Sequence, residues 1–180
     1  NKSVTADFAE KLRNDDFADA IVINDILLID KQTNEGATKE DGEPNHGLDP
    51  GGKSVWWRWT PQKSGLATIT TAGSKFDTVL AVYTGNEVSS LTLIAFNDDL
   101  DSDGNQASRV QFQVIAGTEY RIAVDGRTGF KGDVAFGEIK LKIEFAEPPV
   151  MRTQQLSQTV PQGSLVSLIV NASGDGLLSY

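Results

Sequence analysis

Arg109-Val110-Gln111-Phe112-Gln113-Val114, then Ala116-Gly117-Thr118, then Tyr120-Arg121-Ile122-Ala123-Val124-Asp125-Gly126: the reading of this stretch decides the fold class. Val110, Phe112 and Val114 alternate with polar residues, and Tyr120, Ile122 and Val124 repeat the pattern beyond the glycine turn. A period of two puts successive side chains on opposite faces of an extended strand, one face dry and one wet. Ile139, Leu141, Ile143 and Phe145 alternate in the same way. Working outward, the pattern predicts strands over 53–60, 66–72, 76–83, 91–96, 108–115, 119–125 and 134–145. Turn residues separate them: Lys63-Ser64-Gly65, Thr84-Gly85-Asn86, Ala116-Gly117-Thr118 and Asp125-Gly126. Residues 21–29 read as one more apolar strand, broken by Asn24-Asp25, and 30–52 as a long polar loop around Gly42-Glu43-Pro44-Asn45-His46-Gly47. Many short strands at this spacing predict an all-β, antiparallel jelly-roll β-sandwich.

A short helix is expected over 3–13, where Ser3 or Thr5 caps the start and Phe8 and Leu12 share a face. Glu147-Pro148-Pro149 marks a boundary, after which 154–170 begins a new alternating pattern with Val166, Leu168 and Val170 on one face. The expected organisation is a linker helix over 1–13, a sandwich over 14–146 and a partial β segment over 147–180.

Composition narrows the partners. A chain of 180 residues holds one good core, or one domain and part of another. Its 25 acids against 16 Lys and Arg give a net charge of −9. That balance argues against nucleic acid and against anionic membrane surfaces, both of which attract basic patches. No apolar run approaches the ~18–20 residues of a membrane helix, so membrane insertion is not expected. Cysteine is absent, which removes disulfides and thiolate chemistry and leaves cations as a means of staking loops.

The densest acidic segment is Asn97-Asp98-Asp99-Leu100-Asp101-Ser102-Asp103-Gly104-Asn105. Asp99, Asp101 and Asp103 stand at alternate positions before Gly104, as in the front half of a D-x-D-x-D-G calcium loop. Asp99, Asp101 and Asp103 would offer side chains and Asn105 a backbone carbonyl, while Asp98 would turn inward onto loop amides. The twelfth position of such a loop is Val110 rather than a bidentate glutamate, so a further ligand is required from elsewhere. Asp77, a carboxylate within an apolar strand, is the candidate. Calcium is therefore the expected cofactor, set against a solvated acidic turn.

Val55-Trp56-Trp57-Arg58-Trp59 is the second feature. On a strand, Trp57 and Trp59 point with Val55 into the core, and Trp56 and Arg58 point away. Trp56 beside Arg58 is a candidate ligand platform for a sugar ring or peptide, against half-buried packing under the arginine stem. Catalytic motifs are lacking: there is one histidine, His46, no H-E-x-x-H and no G-x-S-x-G.

Three segments carry a resemblance. They are Asn14-Asp15-Asp16-Phe17-Ala18-Asp19-Ala20; the run from Ala37 through Glu43-Pro44-Asn45-His46 to Lys53-Ser54-Val55-Trp56-Trp57-Arg58-Trp59-Thr60; and Phe76-Asp77-Thr78-Val79-Leu80-Ala81-Val82-Tyr83, followed by Asn97-Asp98-Asp99 and Tyr120 to Gly126. In this order they resemble bacterial pre-peptidase C-terminal-like domains, jelly-roll modules of secreted and surface proteins akin to collagenase collagen-binding domains. The resemblance covers about residues 14–146. It implies a location outside the cell and a second calcium or turn cluster joining Asn14, Asp15 and Asp16 to Glu43, Asn45 and Asp49. Asp101 and Asp103 are departures from the family's shorter loop. Residues 147–180, with Gln158-Thr159-Val160 and Gly163-Ser164, resemble the opening of a bacterial immunoglobulin-like repeat.

The expectation is a non-catalytic adhesion, binding or spacer module of a larger secreted or cell-surface bacterial protein. Its ligand would be a glycan or a protein surface. The alternatives are a subunit of an extracellular fibre, self-assembling by strand addition through 147–180 or 1–13, and a small carboxylate-based hydrolase.

Overall fold

Alternating residues become strands where two faces can be buried differently, and here they form two sheets packed face to face. The computed structural model describes residues 12–24, 28–99, 106–147, 150–153, 159–166 and 171–173. Most of the expected N-terminal helix lies outside these residues. The described part of the N-terminal segment contains a single 3-10 turn, Phe17–Asp19.

Eleven strands are assigned among the described residues: β1 (Ile21–Ile23), β2 (Leu28–Thr33), β3 (Val55–Trp59), β4 (Gly65–Thr70), β5 (Thr78–Thr84), β6 (Thr92–Asn97), β7 (Arg109–Val114), β8 (Tyr120–Gly126), β9 (Glu138–Ala146), β10 (Val150–Thr153) and β11 (Asn171–Ser173). One sheet has the order β1-β3-β8-β5-β6 and the other β2-β9-β4-β7. The chain is an all-β sandwich, as the alternation predicts. β7 and β8 are shared between the sheets, and the Ala116-Gly117-Thr118 turn carries the chain from one to the other.

Two findings differ from expectation. The run 21–29 does not make one strand: β1 and β2 lie in different sheets. β1 also pairs in parallel with β3, Ile21 opposite Trp57 and Ile23 opposite Trp59, whereas the other pairings are antiparallel. β10 and β11 form a separate two-stranded sheet. Val166 is described but lies in no strand, and Leu168 and Val170 fall outside the described residues.

The core between the sheets contains Trp57, Leu80, Ile122, Ile139, Leu141 and Ile143, each at most 2% exposed. Trp59, Phe112 and Tyr120 close one end, with Phe112 and Tyr120 ring centroids 5.4 Å apart. A second apolar cluster lies on the outer face of the five-stranded sheet: Phe17, Ala20, Trp56, Ala81, Tyr83 and Ala123. Covered on both faces, β8 is buried at every position, whereas β7 alternates exposed and buried. No helix among the described residues is long and apolar enough to cross a membrane.

Candidate metal centre

The strand register gathers carboxylates at one end of the five-stranded sheet. Thr78 opens β5 and pairs with Gly126, the last residue of β8. Leu80 pairs with Asn97, the last residue of β6. Asp77, Asp98 and Arg127 are the residues next along these three strands, so they meet there. Arg127 N donates to Asp77 O at 3.0 Å. One carboxylate oxygen from each of Asp77, Asp98 and Asp99 lies within 4.8 Å of the others. Among the described residues this is the one such group of three acidic, histidine or cysteine side chains.

Two oxygens of these carboxylates carry no hydrogen bond although they are buried, Asp77 Oδ1 and Asp98 Oδ1. Arg127 supplies the local positive charge: its Nη1 lies 2.7 Å from Asp98 Oδ2 and 3.4 Å from Asp99 Oδ2. The guanidinium does not neutralise the group. Burial, then the charges of Asp98 and Asp99, push the Asp77 carboxyl up, and burial raises Asp98 against the pull of Arg127. Oxygen-only donors at this density suit a hard divalent cation such as calcium, which takes six to eight oxygens. A knot of buried hydroxyls supports the site from beneath. Thr71 Oγ1 and Thr78 Oγ1 lie 2.6 Å apart, and Ser108 Oγ donates to Asp98 O at 2.7 Å.

Asp77 and Asp99 are thus brought together as the sequence predicts. Asp101, Asp103 and Asn105 lie outside the described residues. Asp98, expected to bond loop amides, instead pairs through Oδ2 with Arg127 and leaves Oδ1 without a bond. Its partner is fixed by the β8 register, which local sequence does not display.

The second cluster does not converge on one point. Asn14 Nδ2 donates to Trp56 O, Asp15 accepts from Thr38 N at 2.7 Å, and Asn45 Oδ1 accepts from Lys39 Nζ. Asp49 accepts from Gly51 N and from Thr128 N and Oγ1. Glu43 Oε2 accepts from Glu40 N. These groups pin turns, the role that short acids and amides commonly take. Asp16 lies in the same segment and is half-buried.

Trp56 is not a ligand platform. It is 0% exposed, with Phe17 edge-on at 5.2 Å and His46 at 5.4 Å between ring centroids. The polar 34–52 segment folds back over the outer sheet face and covers it. Arg58 is exposed and lies near Glu119, with its neighbour Arg121 forming the closer ion pair at 2.6 Å.

Sequence reasoning passed over the centre of this lid. His46 is fully buried, with Nδ1 2.9 Å from Tyr83 Oη and Nε2 2.9 Å from Glu43 Oε1. Burial, then the Glu43 charge, pushes the Tyr83 hydroxyl far up, so it stays protonated and suits donation to Nδ1. The Glu43–His46 spacing was the available signal. Asp125 is also fully buried, accepting from the amides of Gly52, Lys53 and Gly126. Both buried groups tie the lid to the sheet.

No protein-family model and no curated protein matches this chain.

Proposed function

We propose that this chain is a non-catalytic binding or spacer module of a larger secreted or cell-surface bacterial protein, with calcium bound at Asp77, Asp98 and Asp99 stiffening its loops. The observation that carries the calcium reading is the convergence of three carboxylates, two of which have a buried oxygen that lacks a hydrogen bond. Unpaired buried polar atoms are costly, and a cation would compensate them. Arg127 offsets part of the charge and would turn toward solvent as the cation enters. The sealed His46, with both ring nitrogens engaged, supports a structural rather than catalytic use of the only imidazole. The resemblance to pre-peptidase C-terminal-like domains supports an extracellular setting and a glycan or protein surface as the ligand.

Thermal melting in calcium and in chelator tests the reading. Extracellular calcium modules bind with Kd of about 10⁻⁴–10⁻³ M. At tenfold excess over Kd the folded state gains about 1.4 kcal/mol, a rise in Tm of roughly 3–5 °C for a domain of this size. No shift at ~10 mM calcium rejects the metal reading.

A second reading, a fibre subunit that adds strands through 147–180 or 1–13, is favoured by one observation. β10 and β11 pair only with each other among the described residues, and two strands alone are marginally stable. Assembly that disappears on deleting 147–180 would support it.

A further inference from the structure

β6 ends the five-stranded sheet. β5 pairs with one side of it, and no strand among the described residues pairs with the other. Its sequence, Thr92-Leu93-Ile94-Ala95-Phe96-Asn97, contains no charge and no proline. Other edges of the two main sheets are guarded: β1 has only three residues and β7 carries Arg109. Short length and charge are the usual protections of an exposed edge, because a bare one is a template for another strand.

β6 also shows more apolar surface than alternation allows. The register shifts between Val82 and Tyr83, whose partners are Ala95 and Leu93, so Ile94 is an extra residue. As a result Leu93, Ile94 and Phe96 are 43%, 40% and 44% exposed. Phe96 lies across Gly47 of the lid, where a built Cβ would meet its ring at 2.2 Å. The apolar strip therefore runs from the edge onto the outer face.

We infer that β6 is a self-association edge, on which a second copy of this chain pairs β6 to β6, antiparallel, across a two-fold axis. Charge selects the arrangement. Asp98 and Asp99 follow the strand directly, in a chain of net charge −9. Parallel pairing would stack the two acidic ends. Antiparallel pairing sets them a strand length apart, about 20 Å, beyond the ~8–10 Å over which salt leaves charges interacting. The second copy brings the same three apolar side chains, so one symmetric contact completes the ladder and covers both strips. The pairing uses neither the carboxylate centre nor 147–180, and its failure leaves the proposed function untouched.

Sedimentation velocity on the full chain tests this. One short ladder makes a small, transient-class contact, so the titration spans about 10–500 µM. Wild-type protein is expected to shift from monomer to dimer over that range. With the two-fold axis at Ile94, in the middle of the strand, Ile94→Lys places two lysines face to face and is expected to weaken association by about tenfold or more, with Tm unchanged. Because the chain has no cysteine, single substitutions give a clean second measurement. Ile94→Cys is expected to form a disulfide-linked dimer under mild oxidation, and Gln113→Cys on the opposite sheet's edge is not. Wild type that stays monomeric at the highest concentration overturns the inference. So does a dimer that Ile94→Lys leaves intact, as a contact through 147–180 would. Equal cross-linking from Gln113→Cys also overturns it, as nonspecific collision.

Discussion

Asp77 is held in two minds by its surroundings. Its backbone is anchored by Arg127 N, yet one carboxylate oxygen has no hydrogen bond and two further aspartates stand beside it. Burial first, and then the charges of Asp98 and Asp99, let its carboxyl hold a proton above the ordinary value of 3.8. Between that value and the raised one the folded state binds more protons than the unfolded, so the group's contribution to stability falls as pH rises through the window. Asp77→Asn is expected to stabilise the protein in chelator at pH 7 by a few tenths to about 1 kcal/mol. The gain should fade as pH approaches the acid side of the window. With calcium present the sign reverses, because the same substitution removes a ligand. Urea titrations of both proteins, with and without calcium at two pH values, check this. Destabilisation in chelator at pH 7 would show that the cluster is not strained by its own charge.

At the same scale, Gly126 is required by its contacts. A Cβ there would lie 1.7 Å from Ala135 O, a backbone atom with no rotamer to change. Gly126→Ala is expected to cost about 1–3 kcal/mol, read as a lower urea midpoint with an unchanged slope.

Among the elements, the lid formed by 34–52 shows where local reading ends. Strand periods were legible: Val110 to Val114 and Ile139 to Ile143 alternate in the sequence and alternate in burial. The placement of Asp77 beside Asp98 and Asp99 was legible too, because a carboxylate in an apolar strand needs company. Trp56 misled, because alternation tells which face a residue takes but not whether that face is wet. The answer depends on a polar segment closing back through Asn34, Asp15 and His46 onto residues distant in sequence. Such bonds leave no periodic trace. The split of 21–29 between two sheets was hidden for a related reason: a two-residue break looks the same whether it interrupts a strand or changes its partner. His46→Ala would leave Glu43 Oε1 and Tyr83 Oη buried without partners, at a cost of about 2–4 kcal/mol. Hydrogen exchange should then speed up at Trp56 N, which donates to Asn14 O beneath the lid. Exchange unchanged at that amide would mean that the lid does not depend on the histidine.

For the molecule as a whole, β6 and the acids that follow it carry separate tendencies. The acids beyond Asn97 favour a cation, while the bare edge before them favours a neighbour. Antiparallel pairing holds the two acidic ends about 20 Å apart, so calcium at the centre should leave β6 pairing nearly unchanged at physiological salt. The dimer constants measured with calcium and with chelator should coincide. A constant that tightens on adding calcium would place the two acidic ends side by side, as in a parallel pair.

The sandwich has one consequence for light. Every indole of the chain, Trp56, Trp57 and Trp59, sits on β3, a strand of five residues, and none is more than 3% exposed. Trp57 and Trp59 look into the gap between the sheets, and Trp56 looks the other way, under the lid. The emission of the folded protein thus comes from one strand that reports on two separate interiors. Loosening the lid should redden one chromophore of three and leave the others dark to solvent. Separation of the sheets should redden the remaining pair.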